Sequence, residues 1–303
     1  MTLFSFSRKK QDEYILDLAD AARKKGRWID IWRRLLRNKL GMVGLVIIVV
    51  LVILCVFAGV FTKYPYDLQN LKDKWLYPSW EHPFGTDNFG RDLWSRMLYG
   101  GRISLMVAFL ATLISTVAGT ICGSVSGYYG GIIDTIITRI LDVVMAVPGI
   151  LLAIALAFAL GPGPVNTALA ISVAGIPFSA RLMRATVMTI KSNEYIEAGK
   201  AAGSKNSRII FVHVLPNTIA PLIVNASLWI AGNIMAISGL SFIGLGVHPP
   251  TPEWGAILID GRPYFRDFWP TILFPSLFIM LTLFGFNLLG DGLRDALDPR
   301  LKD

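Results

Sequence analysis

Apolar residues in this chain fall in long, nearly unbroken runs, without the period-3.6 or period-2 stripes of a water-soluble fold. Six runs reach span length, near residues 41–61, 103–126, 140–160, 165–186, 218–247 and 269–290. A helix needs about 20 mostly apolar residues to cross a bilayer. In lipid every backbone polar group must be satisfied within its own segment, so the runs predict helices. Their continuity excludes the alternation of a barrel strand. The expected fold class is therefore an all-α membrane protein with six transmembrane helices. Pro148 and Pro177 lie inside two of the runs and predict kinks there.

The polar segments between the runs divide the chain. Residues 1–40 are basic, and Trp28, Ile29, Ile31, Trp32, Leu35 and Leu36 alternate with arginines, the pattern of an amphipathic helix lying on a membrane surface. Residues 1–25 read equally as a solvated basic leader. Residues 41–61 form the first span, 62–101 an aromatic and proline-rich loop, 102–291 a five-helix core, and 292–303 a tail. In the core, residues 187–216 form a hydrophilic island and 248–268 a second loop. Gly85-Thr86-Asp87 and Gly90-Arg91-Asp92 punctuate the first loop before a short helix. In the island, residues 187–202 are expected to form one short helix broken at Gly203. Ser204 would then cap a second helix ending before Pro216.

Charge sets the orientation. Arg8, Lys9, Lys10, Arg23, Lys24, Lys25, Arg27, Arg33, Arg34, Arg37 and Lys39 precede the first span, and Arg184, Lys191, Lys200, Lys205 and Arg208 surround the island. Both regions are expected to be cytoplasmic. With six spans the tail bearing Arg294, Arg300 and Lys302 follows, so both termini are expected inside a multi-pass membrane protein. The net charge of +8 is then inside bias and not a nucleic-acid footprint. Cys55 and Cys122 fall in spans and read as packing residues. No cleavable leader is read, because the first run is of full span length and lacks a small-x-small exit.

The island carries the most specific pattern in the chain. Glu197-Ala198-Gly199, Gly203 and Leu215-Pro216 follow the pattern Glu-Ala-Ala, three residues, Gly, nine residues, Ile-x-Leu-Pro. This resembles the cytoplasmic coupling loop of membrane subunits in ABC importers. Three longer stretches, His82–Leu105, Gly239–Gly255 and Phe286–Arg300, are similar to the second (C-type) permease subunit of the dipeptide, oligopeptide and nickel importer family. Gly199 replaces the second Ala of the general pattern and His213 its Ile.

The resemblance implies the type I importer permease fold and a bacterial or archaeal inner membrane. It implies a heterodimeric pore with a sister permease, two ATPase subunits that carry the ATP and Mg, and an extracytoplasmic binding protein. No cofactor is expected on this chain. It also implies ATPase-coupling roles for Glu194, Glu197, Ala198, Gly199, Gly203, Ile209, Ile210, Leu215 and Pro216. Ile209, Ile210, Val212 and Val214 would offer apolar surface for a helix-in-groove dock. Asp87, Arg91, Asp92, Glu253 and Trp254 are the candidates for contact with the binding protein.

Other chemistry is sparse. Gly199-Lys200 lacks the remainder of a phosphate-binding loop, and no zinc-protease or hydrolase-elbow motif is present. The histidines His82, His213 and His248 are scattered and no metal site is expected. Arg139 and Asp142, spaced i, i+3, are expected to pair on one helix as a structural feature, and Asp291, Arg294 and Asp295 to behave alike. Asn225, Ser227, Asn233 and Ser238 read equally as pore lining or as packing glue between helices. Peptides are the expected cargo and nickel or a metal chelate the alternative. An intramembrane enzyme or a stand-alone secondary transporter would need convergent ligands or mid-span carboxylates that the sequence does not display.

Overall fold

A computed structural model describes residues 29–297. The basic positions from Arg8 to Arg27 and the tail residues Arg300 and Lys302 therefore lie outside the described part. Helix α1 (residues 29–37) exposes Ile29, Trp32 and Leu36 together with Arg33 and Arg37, and buries Leu35. It stops at Asn38, whose side chain accepts from the Gly41 amide (2.9 Å) and so caps α2 (Lys39–Val56). A one-turn helix, α3 (Ala58–Phe61), completes the first span.

The second span is longer than expected. Residues from Leu93 onward do not form a separate short helix. They are the first turns of α4 (Leu93–Tyr129), 37 residues capped by Asp92 through the Ser95 amide (2.7 Å). Gly130 and Gly131, both at positive φ, turn the chain into α5 (Gly131–Ala146). The third run is not one continuous helix. It breaks at Val147-Pro148, and α6 (Gly149–Leu160) leaves at 86° to α5. Proline disfavours helical backbone at the residue before it and clashes with the preceding turn, and here the two effects break the helix outright. Pro177, by contrast, is carried inside α7 (Pro164–Lys191).

After the island (α8, Glu194–Ala201, and α9, Asn206–Arg208) comes α10 (Leu215–Phe242). The fifth span ends earlier than residue 247 because Gly244 (φ +76°) closes the helix, its amide meeting Ser241 O (2.9 Å) while the Leu245 amide meets Leu240 O (2.9 Å). The loop that follows contains its own helix, α11 (Trp254–Gly261), and α12 (Pro270–Leu297) is the last span. Five helices are long and apolar enough to cross a membrane, and the bent α5–α6 pair makes a sixth span if it counts as one.

Helices α4 and α7 share the most extensive packing of any pair. A Cβ added at Gly119 would stand 2.1 Å from Ser179 Cβ, and one at Gly123 2.3 Å from the Ala180 carbonyl oxygen. Small residues at i, i+4 let two backbones touch where lipid offers no hydrophobic drive between helices. Around this seam α12 packs on α2 and α10, and α10 packs on α4. The larger core lies toward α11 and centres on Met97, Val107, Ile234, Ile237, Leu240 and Trp254. A smaller core lies under the island. Cys55 is buried and Cys122 half-buried, both as free thiols.

Candidate functional site

The island is a knob folded back on the ends of three spans. It does not start as one helix over 187–202. Ser192 bonds back to the Thr189 carbonyl (2.9 Å), Asn193 is extended, and α8 begins only at Glu194. Short polar side chains compete for backbone groups in this way and interrupt helices. Helix α8 ends as the sequence suggests. Gly203 stands at φ +78°, its amide donates to Lys200 O (2.9 Å), and the Ser204 amide donates to Gly199 O (3.0 Å). This is the two-bond closure that places glycine just beyond a helix C-terminus.

The second half of the knob departs from expectation. Lys205, not Ser204, precedes α9, and no side chain caps it. The helix does not end before Pro216 either. A π-helical turn, Ile209–Val214, carries it into α10, with the Leu215 amide bonded to Ile210 O. Proline in the first turn of α10 has no amide to lose, and the wider turn before it accommodates the ring.

That turn also decides which apolar residues face out. Ile209 and Val214 are buried against Ile196, Met183, Val187 and Tyr128, so they hold the knob down and do not form a docking surface. Lys191 and Lys200 reach over the Tyr128 ring (5.7 and 5.8 Å), and the Tyr128 hydroxyl bonds Asn206 (2.9 Å). The exposed face comprises Glu194, Tyr195, Glu197, Ala198, Phe211 and Val212, while Gly199, Ile210, Leu215 and Pro216 are half-buried. Phe211, 69% exposed, escaped the sequence reading, because ordinary helical spacing does not anticipate the register change of a π-turn.

Along α5 the charges pair across helices. The Arg139–Asp142 pair does not form. Asp142 instead accepts from Arg181 of α7 (2.7 Å). Asp134 is gripped by the Arg184 fork (2.7 and 2.6 Å) and by the Ser126 hydroxyl. Helix α5 packs on α7, and these carboxylates meet arginines of that neighbour. Of the Asp291, Arg294 and Asp295 group, Asp295 accepts from Asn38 (2.9 Å) and thereby ties α12 to the start of α2.

Helices α4, α6, α7 and α10 enclose a cleft of about 260 Å³ whose walls include Ser115, Ala153, Phe178, Trp229 and Asn233. Asn233 donates to the Thr112 hydroxyl (2.8 Å). Asn225 lines a second cleft with Arg294 and donates to Pro221 O (3.0 Å). Ser227 is buried and bonded to Ile223 O, and Ser238 lies against Gly255. The two asparagines thus face clefts, and the two serines serve packing.

At the opposite end, Asp87, Arg91, Asp92, Glu253 and Trp254 are each 5% exposed or less, so none can be the surface that touches a binding protein. They brace the loop. Asp92 caps α4 and bonds His82 (2.8 Å). Asp87 bonds the Arg91 Nε (2.6 Å). Arg91 and the fully buried Arg96 both reach toward Asp260 (3.9 and 3.7 Å). Burial raises the Asp260 carboxyl above its ordinary range, against the pull of Arg96 and Arg91. Glu253 accepts from Ser104 (2.9 Å) and the Ala256 amide (2.9 Å), and the Trp254 indole donates to Met97 O (2.8 Å). Buried charges require such partners, which lie up to 170 residues away and leave no local signal. The same segment exposes Tyr77, Trp80 and Phe89. Among the described residues, no three His, Cys, Asp or Glu side chains converge on a position that could hold a metal.

Comparison with known proteins agrees with this architecture. Residues 115–303 match the family described as binding-protein-dependent transport system inner membrane component, and residues 26–78 match the N-terminal TM domain of oligopeptide transport permease C. The chain is 46% identical over 275 residues to a dipeptide transport system permease protein of Alkalihalophilus pseudofirmus, covering 91% of this chain and 90% of the relative. It is 44% identical to the protein of that name in Escherichia coli, over 90% and 93% of the two chains. An inward-facing MetNI methionine ABC transporter chain superposes with a TM-score of 0.55 at 17% identity, over 67% of this chain and 97% of that one, a likeness of fold. The chain belongs to the binding-protein-dependent transport system inner membrane components, as a multi-pass permease subunit of an ABC importer and not an enzyme.

Proposed function

We propose that this chain forms one half of the pore of an ATP-driven peptide importer. A sister permease supplies the other half, two separate ATPases bind ATP and Mg, and an extracytoplasmic binding protein delivers the peptide. The observation that carries the reading is identity of 46% and 44%, over nine-tenths of the chain, with permeases named for dipeptide transport. Those names favour peptides over nickel. The chain itself needs no cofactor and binds no nucleic acid.

The knob would be cytoplasmic, with both termini on the same side, as the lysines and arginines around it favour. Its exposed face combines Glu194 and Glu197 with Tyr195, Phe211 and Val212, suited to an ATPase groove with apolar and basic walls. Its inner face is packed on α4, α7 and α10 through Tyr128, Met183, Ile209 and Val214. A push on α8 therefore moves three span ends as one body, which turns ATPase closure into a change of pore access.

Uptake in cells lacking only this chain tests the cargo. Labelled dipeptide uptake should be lost, should return with the restored gene, and should be competed by unlabelled peptides but not by nickel. Competition by nickel alone would reverse the choice of cargo.

A further inference from the structure

Two ion pairs join α5 to α7, and they differ in kind. The Asp134–Arg184 pair is bidentate, completed by Ser126, and its side chains are 20% and 34% exposed. The Asp142–Arg181 pair has one hydrogen bond, at 2.7 Å, and its side chains are 45% and 52% exposed. The remaining guanidinium N–H groups of Arg181 and the second oxygen of Asp142 have no hydrogen-bond partner among the described residues. An open pair of this kind gains little from its own contact and is cheap to separate.

Its position is specific. Ala174 and Phe178 line the 260 Å³ cleft, and Arg181 continues their face of α7 at i, i+4, i+7. Helix α5 breaks at Val147-Pro148, shortly after Asp142, and the next residues, Gly149 and Ile150, line the same cleft. Arg181 thus comes from a wall of the cleft, at its end toward the knob, and Asp142 from the helix that leads through the break into another wall, α6. The cleft itself is mostly apolar, with Phe178 and Trp229 as its large side chains.

We propose that Arg181 and Asp142 form a charged station for the peptide on its way through the pore. Arg181 receives the α-carboxylate and Asp142 the α-ammonium, while the cleft above holds the side chains. This rests on the peptide reading. A zwitterion entering a low-dielectric passage must not lose water from both charges without replacement. A half-open pair lets it exchange partners, each protein charge passing from its mate to a peptide terminus and back. The closed Asp134–Arg184 pair one step nearer the knob is a brace and takes no part.

The test uses the complete complex in proteoliposomes, with saturating peptide-loaded binding protein, measuring peptide imported per ATP hydrolysed. The double variant Arg181→Gln with Asp142→Asn keeps a hydrogen-bonded link between the helices but removes both charges. Import per ATP should fall about tenfold, while ATPase stimulation by the loaded binding protein persists. The swapped variant Arg181→Asp with Asp142→Arg restores both charges and should recover much of the loss. Neutralising the brace (Arg184→Gln with Asp134→Asn) should lower import and ATPase together. Undiminished import per ATP in the neutral pair, with normal wild-type uptake, overturns the station and leaves the peptide reading standing. Wild-type liposomes that accumulate no peptide overturn the peptide reading itself.

Discussion

Replacing Gly203 tests the knob at the one position where its backbone has no substitute. The residue holds φ +78°, and an added Cβ would meet nothing within 4 Å. The penalty of a side chain is therefore conformational and not steric. A left-handed backbone costs an L-residue about 1–2 kcal/mol, with β-branched residues at the upper end and Asn lower. If the chain abandons the turn instead, it gives up the Gly203–Lys200 and Ser204–Gly199 bonds, roughly 1 kcal/mol each. Both routes bound the cost of Gly203→Val near 2 kcal/mol, about a 30-fold drop in the ratio of closed to open knob. The spans are untouched, so insertion and yield should be normal. In proteoliposomes holding the whole importer, peptide uptake should fall roughly 5- to 30-fold, with ATP hydrolysis no longer responding to loaded binding protein. Gly203→Asn should lie between wild type and Val. Wild-type coupled transport by Gly203→Val would refute the claim that this turn shapes the mechanical link.

Three further outcomes follow from the packing and charge. Gly119→Val and Gly123→Val force a side chain into the backbone of α7 and should cost about 3 kcal/mol or more; detergent melting temperatures should drop sharply for both and stay near wild type for Gly232→Ala, whose Cβ meets nothing. Burial holds the Asp260 proton more tightly in the folded state than in the unfolded one. Its stabilisation is present below the ordinary carboxylate pKa and lost as pH rises through the raised value, so Asp260→Asn should flatten the decline of melting temperature across that window, and an unchanged slope would contradict it. With Cys55 and Cys122 replaced by Ser, an impermeant thiol reagent added outside cells should label a cysteine at exposed Ser79 but not one at exposed Ser207; the reverse pattern would invert the topology.

The spans were legible because length and apolarity alone decide them, and the Gly203 turn because few residues but glycine take that conformation. Interruptions were only half legible. Pro148 and Pro177 look alike in sequence, yet exposed Pro148 breaks its helix by 86° while Pro177, buried between helices, is absorbed. The stretch from Leu93 to Arg102 reads as a short helix ahead of a span. It is instead the start of that span's helix, with Arg96 buried near Asp87 and Asp260 and Arg102 donating to the Cys55 and Val56 carbonyls (both 2.7 Å) at the end of α2. Charged loop residues such as Asp87 and Glu253 look like surface until their distant partners are in place. Arg139 and Asp142 have helical pairing distance, but a bond from Arg181 of α7 to Asp142 takes precedence.

The central claim is that this permease imports peptide only as part of an ATP-driven complex. Its most direct test is ATP-dependent accumulation of a labelled dipeptide in proteoliposomes containing the sister permease, both ATPases and the binding protein, with and without this chain. Accumulation should require the chain, ATP and the binding protein together, and the purified chain alone should hydrolyse no ATP. Accumulation without this chain, or without ATP, would contradict the account.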